Sequence, residues 1–449
     1  MVKNDVITLT ITALTNEGSG IGRHDGMAVF VPFTAVGDVI SCRIVKVLKS
    51  YAYGRVEKLL TPSADRIEND CPVFGRCGGC SFRHIDYNAE LAAKESFVRD
   101  AFSRIGGLSP EMLPICGSEA QYGYRNKLQM PLSRDKDGCA VCGFFSERSH
   151  NVIPVKECLL QPTEFAEITA FVMEQVKSLR ISVYNEEKHE GVLRHIFLRR
   201  GHYSGEVCLC LVARRKVPEF ARLAKSAMER FPQIKGVVLN INKEKTNVIL
   251  GDEEMVLCGS AAISDTMCGN QVEISPRSFY QVNTPAAENL YRQAAEFAEP
   301  KGKTVLDLYC GAGTIGLSMA GEAAKVIGAE IVPEAVENAK ANAERNGHTN
   351  AEFICADAGQ AAKALAEHGL KPDVIVLDPP RKGCDEATLS ACVEMSPERI
   401  VMISCNAATA ARDCKWLGEH GYKAVKLRAF DLFPRTTHVE CVVKLIRET

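Results

Sequence analysis

No uninterrupted apolar run in this chain reaches the roughly 18 residues of a membrane span, so a membrane-embedded catalyst or carrier is not expected. The opening Met1-Val2-Lys3-Asn4-Asp5 leads into alternating residues without the apolar stretch of an export signal, and the expectation is a soluble cytoplasmic protein. An excess of charge is missing too. Lys and Arg total 54 against 56 Asp and Glu, a formal charge of −2, so a nucleic-acid partner would be held by local basic clusters rather than by a whole-chain field. There is no internal repeat and no low-complexity tract, which excludes solenoids and disordered tethers.

Cysteine is plentiful. Nineteen are scattered over 449 residues, including inside expected strands and helices, a distribution unlike the disulfide framework of a small secreted domain. Most should be reduced and buried, leaving a few for chemistry. The length alone suggests about two to four domains.

Residues 6–14, 27–33, 38–48 and 51–60 read as short strands separated by the turn signals Gly18-Ser19-Gly20, His24-Asp25-Gly26 and Gly37-Asp38, a small β-barrel over 1–60. Lys46, Lys49, Arg55 and Lys58 beside Tyr51 and Tyr53 suit RNA contact by stacking and phosphate binding, though such residues also make ordinary solvated faces. Residues 61–111 read as a cysteine-rich loop followed by a helix from Tyr87 to Ile105, stopped by Gly106-Gly107. Residues 112–270 are mixed α/β, with a buried-type strand at Val207–Val212 and helices at 163–179 and 218–231. From 271 to 449 strands near 304–308, 325–330, 374–378 and 400–404 alternate with helices and predict a doubly wound parallel sheet.

Cys71-x5-Cys77-x2-Cys80 lies among Pro72, Gly75, Gly78 and Gly79, whose flexibility lets thiolates converge. A fourth ligand could come from Cys158, from His84, or from Cys139-x2-Cys142, though the last pair reads better as small packing residues near a turn. Zinc and an iron–sulfur cluster both fit, and spacing does not separate them.

Gly311 and Gly313 sit at a strand-to-helix turn where backbone can approach a ligand, and Glu330 ends the next strand, the usual place for a carboxylate on ribose hydroxyls. The three-glycine dinucleotide fingerprint is absent, and Asp378-Pro379-Pro380 points to S-adenosylmethionine. Cys405 follows the apolar Val401-Met402-Ile403-Ser404, placing its sulfur on the ligand side of the sheet; Glu440 follows Val439 near the end. Carbon 5 of uracil is too weak a nucleophile to take a sulfonium methyl unaided, but thiolate addition at carbon 6 activates it, and a carboxylate can then remove the carbon 5 proton. Cytosine-directed enzymes commonly place a cysteine after the proline of the Asp-Pro-Pro segment, and exocyclic-amine methylation uses an aromatic residue where Arg381 stands, so uracil is preferred.

With these residues in view the chain resembles the RNA uracil-5 methyltransferase family, specifically its bacterial ribosomal-RNA branch. The resemblance runs end to end through Gly18-Ser19-Gly20-Ile21-Gly22, the cysteine loop, Tyr124-Arg125-Asn126-Lys127, Pro276 to Asn283, Asp378-Pro379-Pro380-Arg381-Lys382-Gly383 and both terminal signatures. It implies a TRAM (OB-like) RNA-binding barrel, a central α/β RNA-binding domain and a Rossmann-like class I methyltransferase domain. It further implies a [4Fe-4S] cluster on Cys71, Cys77, Cys80 and Cys158, and S-adenosylmethionine and uracil sites lined by Gln281, Tyr309, Glu330 and Asp378. Cys405 would be the nucleophile and Glu440 the base, with Gly311 approaching the cofactor and Asp357 a weaker adenine contact. Thr314, Ala407 and Arg435 depart from the common asparagine, proline, and His or Gln. The family's usual transfer-RNA form lacks barrel and cluster, so the expected substrate is a uridine of 23S rRNA or a ribosome precursor, bound by a monomer. The rivals are a transfer-RNA uracil-5 methyltransferase and a non-catalytic iron–sulfur RNA-binding protein.

Overall fold

Leu9, Ile11, Val29, Val31, Ile40, Cys42, Ile44 and Ala52 form a small core of their own. In the computed structural model, which describes residues 1–448, five strands close into a barrel around them. The strand Ser19–His24 runs where glycines suggested only a turn. The glycines serve close packing instead: a β-carbon on Gly20 would lie 2.8 Å from Ile11 Cγ2, and one on Gly22 would lie 2.6 Å from the Thr10 carbonyl. Arg66 clamps the following loop to the barrel through two hydrogen bonds to buried Asp38, at 2.8 and 2.7 Å.

The central domain is a seven-stranded sheet whose strand Val207–Ala213 is buried throughout. Val207, Leu209, Leu211 and Ala213 enter the core under the helices Thr163–Ser178 and Glu219–Arg230, whereas Cys208, Cys210 and Val212 enter a core shared with the C-terminal domain. Burial on both faces accounts for the continuous apolar run.

The C-terminal sheet has eight strands, in the order Ala351–Cys355, Lys325–Glu330, Thr304–Leu308, Val374–Leu377, Arg399–Ser404, Glu440–Arg447, Tyr422–Phe430 and Glu111–Cys116. The first five are parallel, and Glu440–Arg447 joins antiparallel to Arg399–Ser404. Strand order reverses beside Thr304–Leu308, the switch point where doubly wound folds bind ligands. One segment lies elsewhere than its sequence neighbourhood suggested. Glu111–Cys116 is the edge of this sheet, and Val98, Ala101 and Phe102 of the preceding helix, Tyr87–Ala101 with its π-turn extension, pack into the core that holds Leu306 and Leu377. The helical run does stop at Gly107, whose φ is 65°. Among the described residues no helix is long and apolar enough to cross a membrane.

Candidate active site

The antiparallel ladder pairs Ser404 with Cys441. Cys405 directly follows Ser404 and Glu440 directly precedes Cys441, so both lie at the open end of the seam, where the charge of Glu440 is felt at Cys405. Cys405 is half-buried just before the helix Ala407–Gly418, whose N-terminal amides favour a thiolate. Burial raises its pKa, as do the nearby carboxylates Glu440 and Asp378, while Arg381 counteracts them. Glu440 is only 7% exposed, and burial, reinforced by Asp378, pushes its pKa up to about 8 against the pull of Arg381.

Asp378 follows Val374–Leu377, whose last residue is level with Leu308 on one side and Met402 on the other. Three adjacent strand ends therefore place Tyr309, Asp378 and Cys405 at one edge of the sheet. Burial pushes Asp378 up to about 7. The loop after it is tied to the helix behind Cys405: the Arg381 carbonyl accepts from Asn406 Nδ2 at 3.1 Å and from Thr409 Oγ1 at 3.4 Å. Gly383 permits this closeness, because its φ is +79° and a β-carbon there would lie 2.6 Å from Asp413 Oδ2.

At the cofactor turn Tyr309, Gly311 and Gly313 all have positive φ, at 67°, 54° and 78°. A β-carbon on Gly313 would lie 2.9 Å from the Phe353 ring, whereas one on Gly311 would meet open space facing the cleft. Glu330 bridges this turn to its own, accepting from the Gly311 amide at 3.1 Å and the Val332 amide at 2.9 Å. Beside it Ile331 is 61% exposed, an apolar platform of the kind that takes a purine face. Tyr309 reaches Thr388 with its hydroxyl at 3.4 Å. Asp357 caps the helix Ala358–Glu367 through Oδ1, accepting from Gly359 at 3.1 Å and Gln360 at 3.4 Å, so that oxygen is committed to the backbone. Carboxylate, open glycine and exposed apolar side chain together fit an adenosyl group.

Two participants escaped sequence reasoning. Tyr291, buried in the helix Thr284–Ala298, brings its hydroxyl to the side chains of Gln281 and Thr314 near Asp378. Asp307, fully buried, accepts from the Gly316 amide at 2.9 Å and leaves Oδ1 without a partner; burial pushes its pKa up to about 8. An acid inside the apolar run Thr304–Leu308 was a legible signal. Nothing in the helix singled out Tyr291.

The four cysteines proposed as ligands lie within electrostatic reach of one another. All are free thiols; Cys77, Cys80 and Cys158 are raised mainly by burial, and each feels the negative charge of other members of the set. Arg83 beside Cys80 and Arg125 beside Cys158 offset that charge. Among the described residues no three His, Cys, Asp or Glu side chains are close enough to grip one metal ion. His84 is directed elsewhere, its Nε2 lying 3.2 Å from the Thr34 carbonyl of the barrel, and Cys142 packs in the central core.

This loop touches the segment leading to Glu440. The amides of Ser81 and Phe82 both donate to the Arg435 carbonyl, at 2.9 and 3.1 Å. A buried ionic cluster reinforces the contact: Lys94 Nζ lies 2.7 Å from both Glu90 Oε1 and Asp431 Oδ1, and the Arg435 amide donates to Glu90 at 2.7 Å. Burial dominates at Glu90, raising it to about 7.

A thiol and a carboxylate close together at the end of a doubly wound sheet, with an open glycine turn at the same sheet edge, fit an α/β transferase of the nucleotide-cofactor class. The chain belongs to the tRNA (uracil-5-)-methyltransferase family, whose pattern matches residues 86–448; residues 3–56 match the TRAM domain. It is an RNA methyltransferase of the S-adenosylmethionine-dependent kind. It is 43% identical over 446 residues, 99% of this chain and 97% of the other, to an uncharacterized RNA methyltransferase of Halalkalibacterium halodurans. A second, of Clostridium tetani, is 40% identical over 443 residues, 98% of this chain and 96% of the other. Among solved structures it resembles the Pyrococcus abyssi tRNA (uracil-54, C5)-methyltransferase in complex with S-adenosyl-L-homocysteine, with a TM-score of 0.79 and 27% identity over 98% of this chain and all of that one.

Proposed function

We propose that the protein methylates carbon 5 of a uridine in 23S rRNA through a covalent cysteine adduct. The nearness of Cys405 and Glu440 at the end of the antiparallel seam carries the reading. S-adenosylmethionine supplies an electrophilic methyl when bound, held by the Gly311 turn, Glu330, Gln281 and Asp378, with Asp357 a weaker contact. The Cys405 thiolate forms a bond to uracil carbon 6, moving an electron pair toward carbon 5 and the carbon 4 oxygen. Carbon 5 then takes the methyl. Glu440 removes the carbon 5 proton, the carbon 5–carbon 6 double bond re-forms, and the carbon–sulfur bond breaks to free Cys405. A carboxylate with a pKa near 8 is a stronger base than an exposed one, and Arg381 helps both it and Cys405 carry charge.

End-to-end resemblance to the bacterial ribosomal-RNA branch supports 23S rRNA. Transfer RNA is the second reading, favoured by the Pyrococcus abyssi likeness: it extends over 98% of this chain, barrel included, so a barrel does not by itself mark a ribosomal substrate. Methylated-nucleoside analysis of both RNAs separates the two.

We further propose that Cys71, Cys77, Cys80 and Cys158 hold a [4Fe-4S] cluster, supported by the family resemblance and by the mutual electrostatic reach of Cys77, Cys80 and Cys158 near Arg83 and Arg125. Iron and sulfide content of anaerobically purified protein tests this, and Cys158→Ser should lower both. Equal content in the variant would remove Cys158 from the ligand set.

A further inference from the structure

Three cations of the central domain have no acidic partner among the described residues. In the antiparallel pair of strands Lys127–Arg134 and Leu193–Arg200, Arg199 stands opposite Lys127, so both side chains leave the same face. It is the face turned toward the C-terminal domain: Phe197, two residues before Arg199, lies in the shared core, whereas Ile196 and Leu198 lie under the helices. Arg199 is only 3% exposed. Its one hydrogen bond runs from Nη2 to the Ser278 carbonyl, and its Nε and Nη1 have no partner. Lys127 is half-buried; desolvation and the charges of Arg199 and Arg125 push its pKa down to about 8. None of the ion pairs among the described residues includes Arg125, Lys127 or Arg199.

Removing like charges from water side by side is unfavourable unless something of opposite sign joins them. Asn126, between two of these cations, donates to the Gln281 carbonyl at 2.8 Å and to Thr284 Oγ1 at 3.1 Å, tying the row to the segment that carries Gln281 into the cleft. On that segment Phe279 is 74% exposed, an aromatic face open to solvent beside the cations. The charge of Arg125 is felt at Cys158 and at His438, two residues before Glu440. The row is therefore tied to the Gln281 segment on one side and lies within electrostatic reach of Cys158 and His438 on the other. A polyanionic chain fits such a path better than a cofactor carboxylate does.

We propose that Lys127 and Arg199, with Arg125 beside them, form a phosphodiester seat that holds the RNA backbone next to the nucleotide presented to Cys405. The proposal rests on the uracil reading for its geometry but is tested without turnover. The binding of fluorescein-labelled oligouridylate to the full-length protein is measured over a series of salt concentrations, for wild type, Lys127→Met and Lys127→Arg. In Lys127→Met the slope of log affinity against log salt should shrink by about 0.7, the share of one neutralised phosphate on a single strand. Lys127→Arg should restore it, with S-adenosylmethionine affinity unchanged in both. An unchanged slope in Lys127→Met would overturn the seat. A fall in S-adenosylmethionine affinity with RNA binding intact would also overturn it, assigning the cations to the cofactor carboxylate. Failure of wild type to make 5-methyluridine would instead count against the uracil reading, whatever the slopes show.

Discussion

Cys405 directly follows Ser404, and Glu440 directly precedes the ladder partner Cys441, at the mouth of the seam where a parallel sheet turns antiparallel. Neighbouring strands rather than flexible loops thus fix the spacing of nucleophile and base. Desolvation raises the pKa of both groups, and the carboxylate charge of Glu440 opposes ionisation of Cys405.

Replacing either partner should stop the reaction at a different point. Cys405→Ala should abolish turnover while S-adenosylmethionine affinity stays close to wild type, because the sulfur lies outside the glycine turn. Glu440→Gln should instead accumulate protein covalently joined to methylated RNA, visible as a slow band on a denaturing gel. Without that band, Glu440 is not the sole base.

The buried acid also predicts a pH effect on stability. The folded pKa of Glu440, about 8, lies above the ordinary carboxyl value of 4.5. The folded state therefore keeps a proton that the unfolded state has lost, and stability declines as pH rises between those values. Glu440→Gln removes this burden and should raise the melting temperature by a few degrees above about pH 8. The difference should close below the ordinary carboxylate range. An equal gap at both ends would mean that the pKa of Glu440 is the same folded and unfolded, and that burial does not hold its proton.

Lys94 is fully buried between Glu90 and Asp431. Lys94→Met leaves buried Asp431 without its cation and Glu90 with only Arg435, at 3.7 Å, a loss on the order of 3–5 kcal/mol for a buried pair broken from one side. Denaturant unfolding measures it. A loss under about 1 kcal/mol, the range of exposed pairs, would show that water reaches the cluster.

Gly313→Ala should disturb the cofactor turn twice, through its φ of 78° and through a β-carbon 2.9 Å from the Phe353 ring. Strain of this type is worth about 1–3 kcal/mol. The expected result is weaker S-adenosylmethionine binding, read by calorimetry; wild-type affinity would show that the turn adapts.

Local patterns made part of this molecule legible. The run before Cys405 had to be a buried strand, and a thiol after such a strand in a doubly wound fold had to face the ligand side. The turn at Gly311 and Gly313 and the acid Glu330 followed the same logic. Contacts between distant residues were not legible. Glu111–Cys116 pairs in parallel with Tyr422–Phe430 from the far end of the chain, and no local periodicity records such a partner. Tyr291 reads as an ordinary helical aromatic until packing places its hydroxyl beside Gln281. Gly20 misled in the opposite sense, since glycine serves close packing in a barrel as well as turns.

Methyl transfer to uracil carbon 5 can be observed outright by nucleoside mass spectrometry. Unmodified 23S rRNA and unmodified transfer RNA would each be incubated with anaerobically purified protein and S-adenosylmethionine. The expected product is 5-methyluridine in the ribosomal RNA, absent with Cys405→Ala. 5-Methyluridine confined to transfer RNA would replace the substrate and keep the chemistry, whereas a methylated cytosine or adenine would contradict the mechanism.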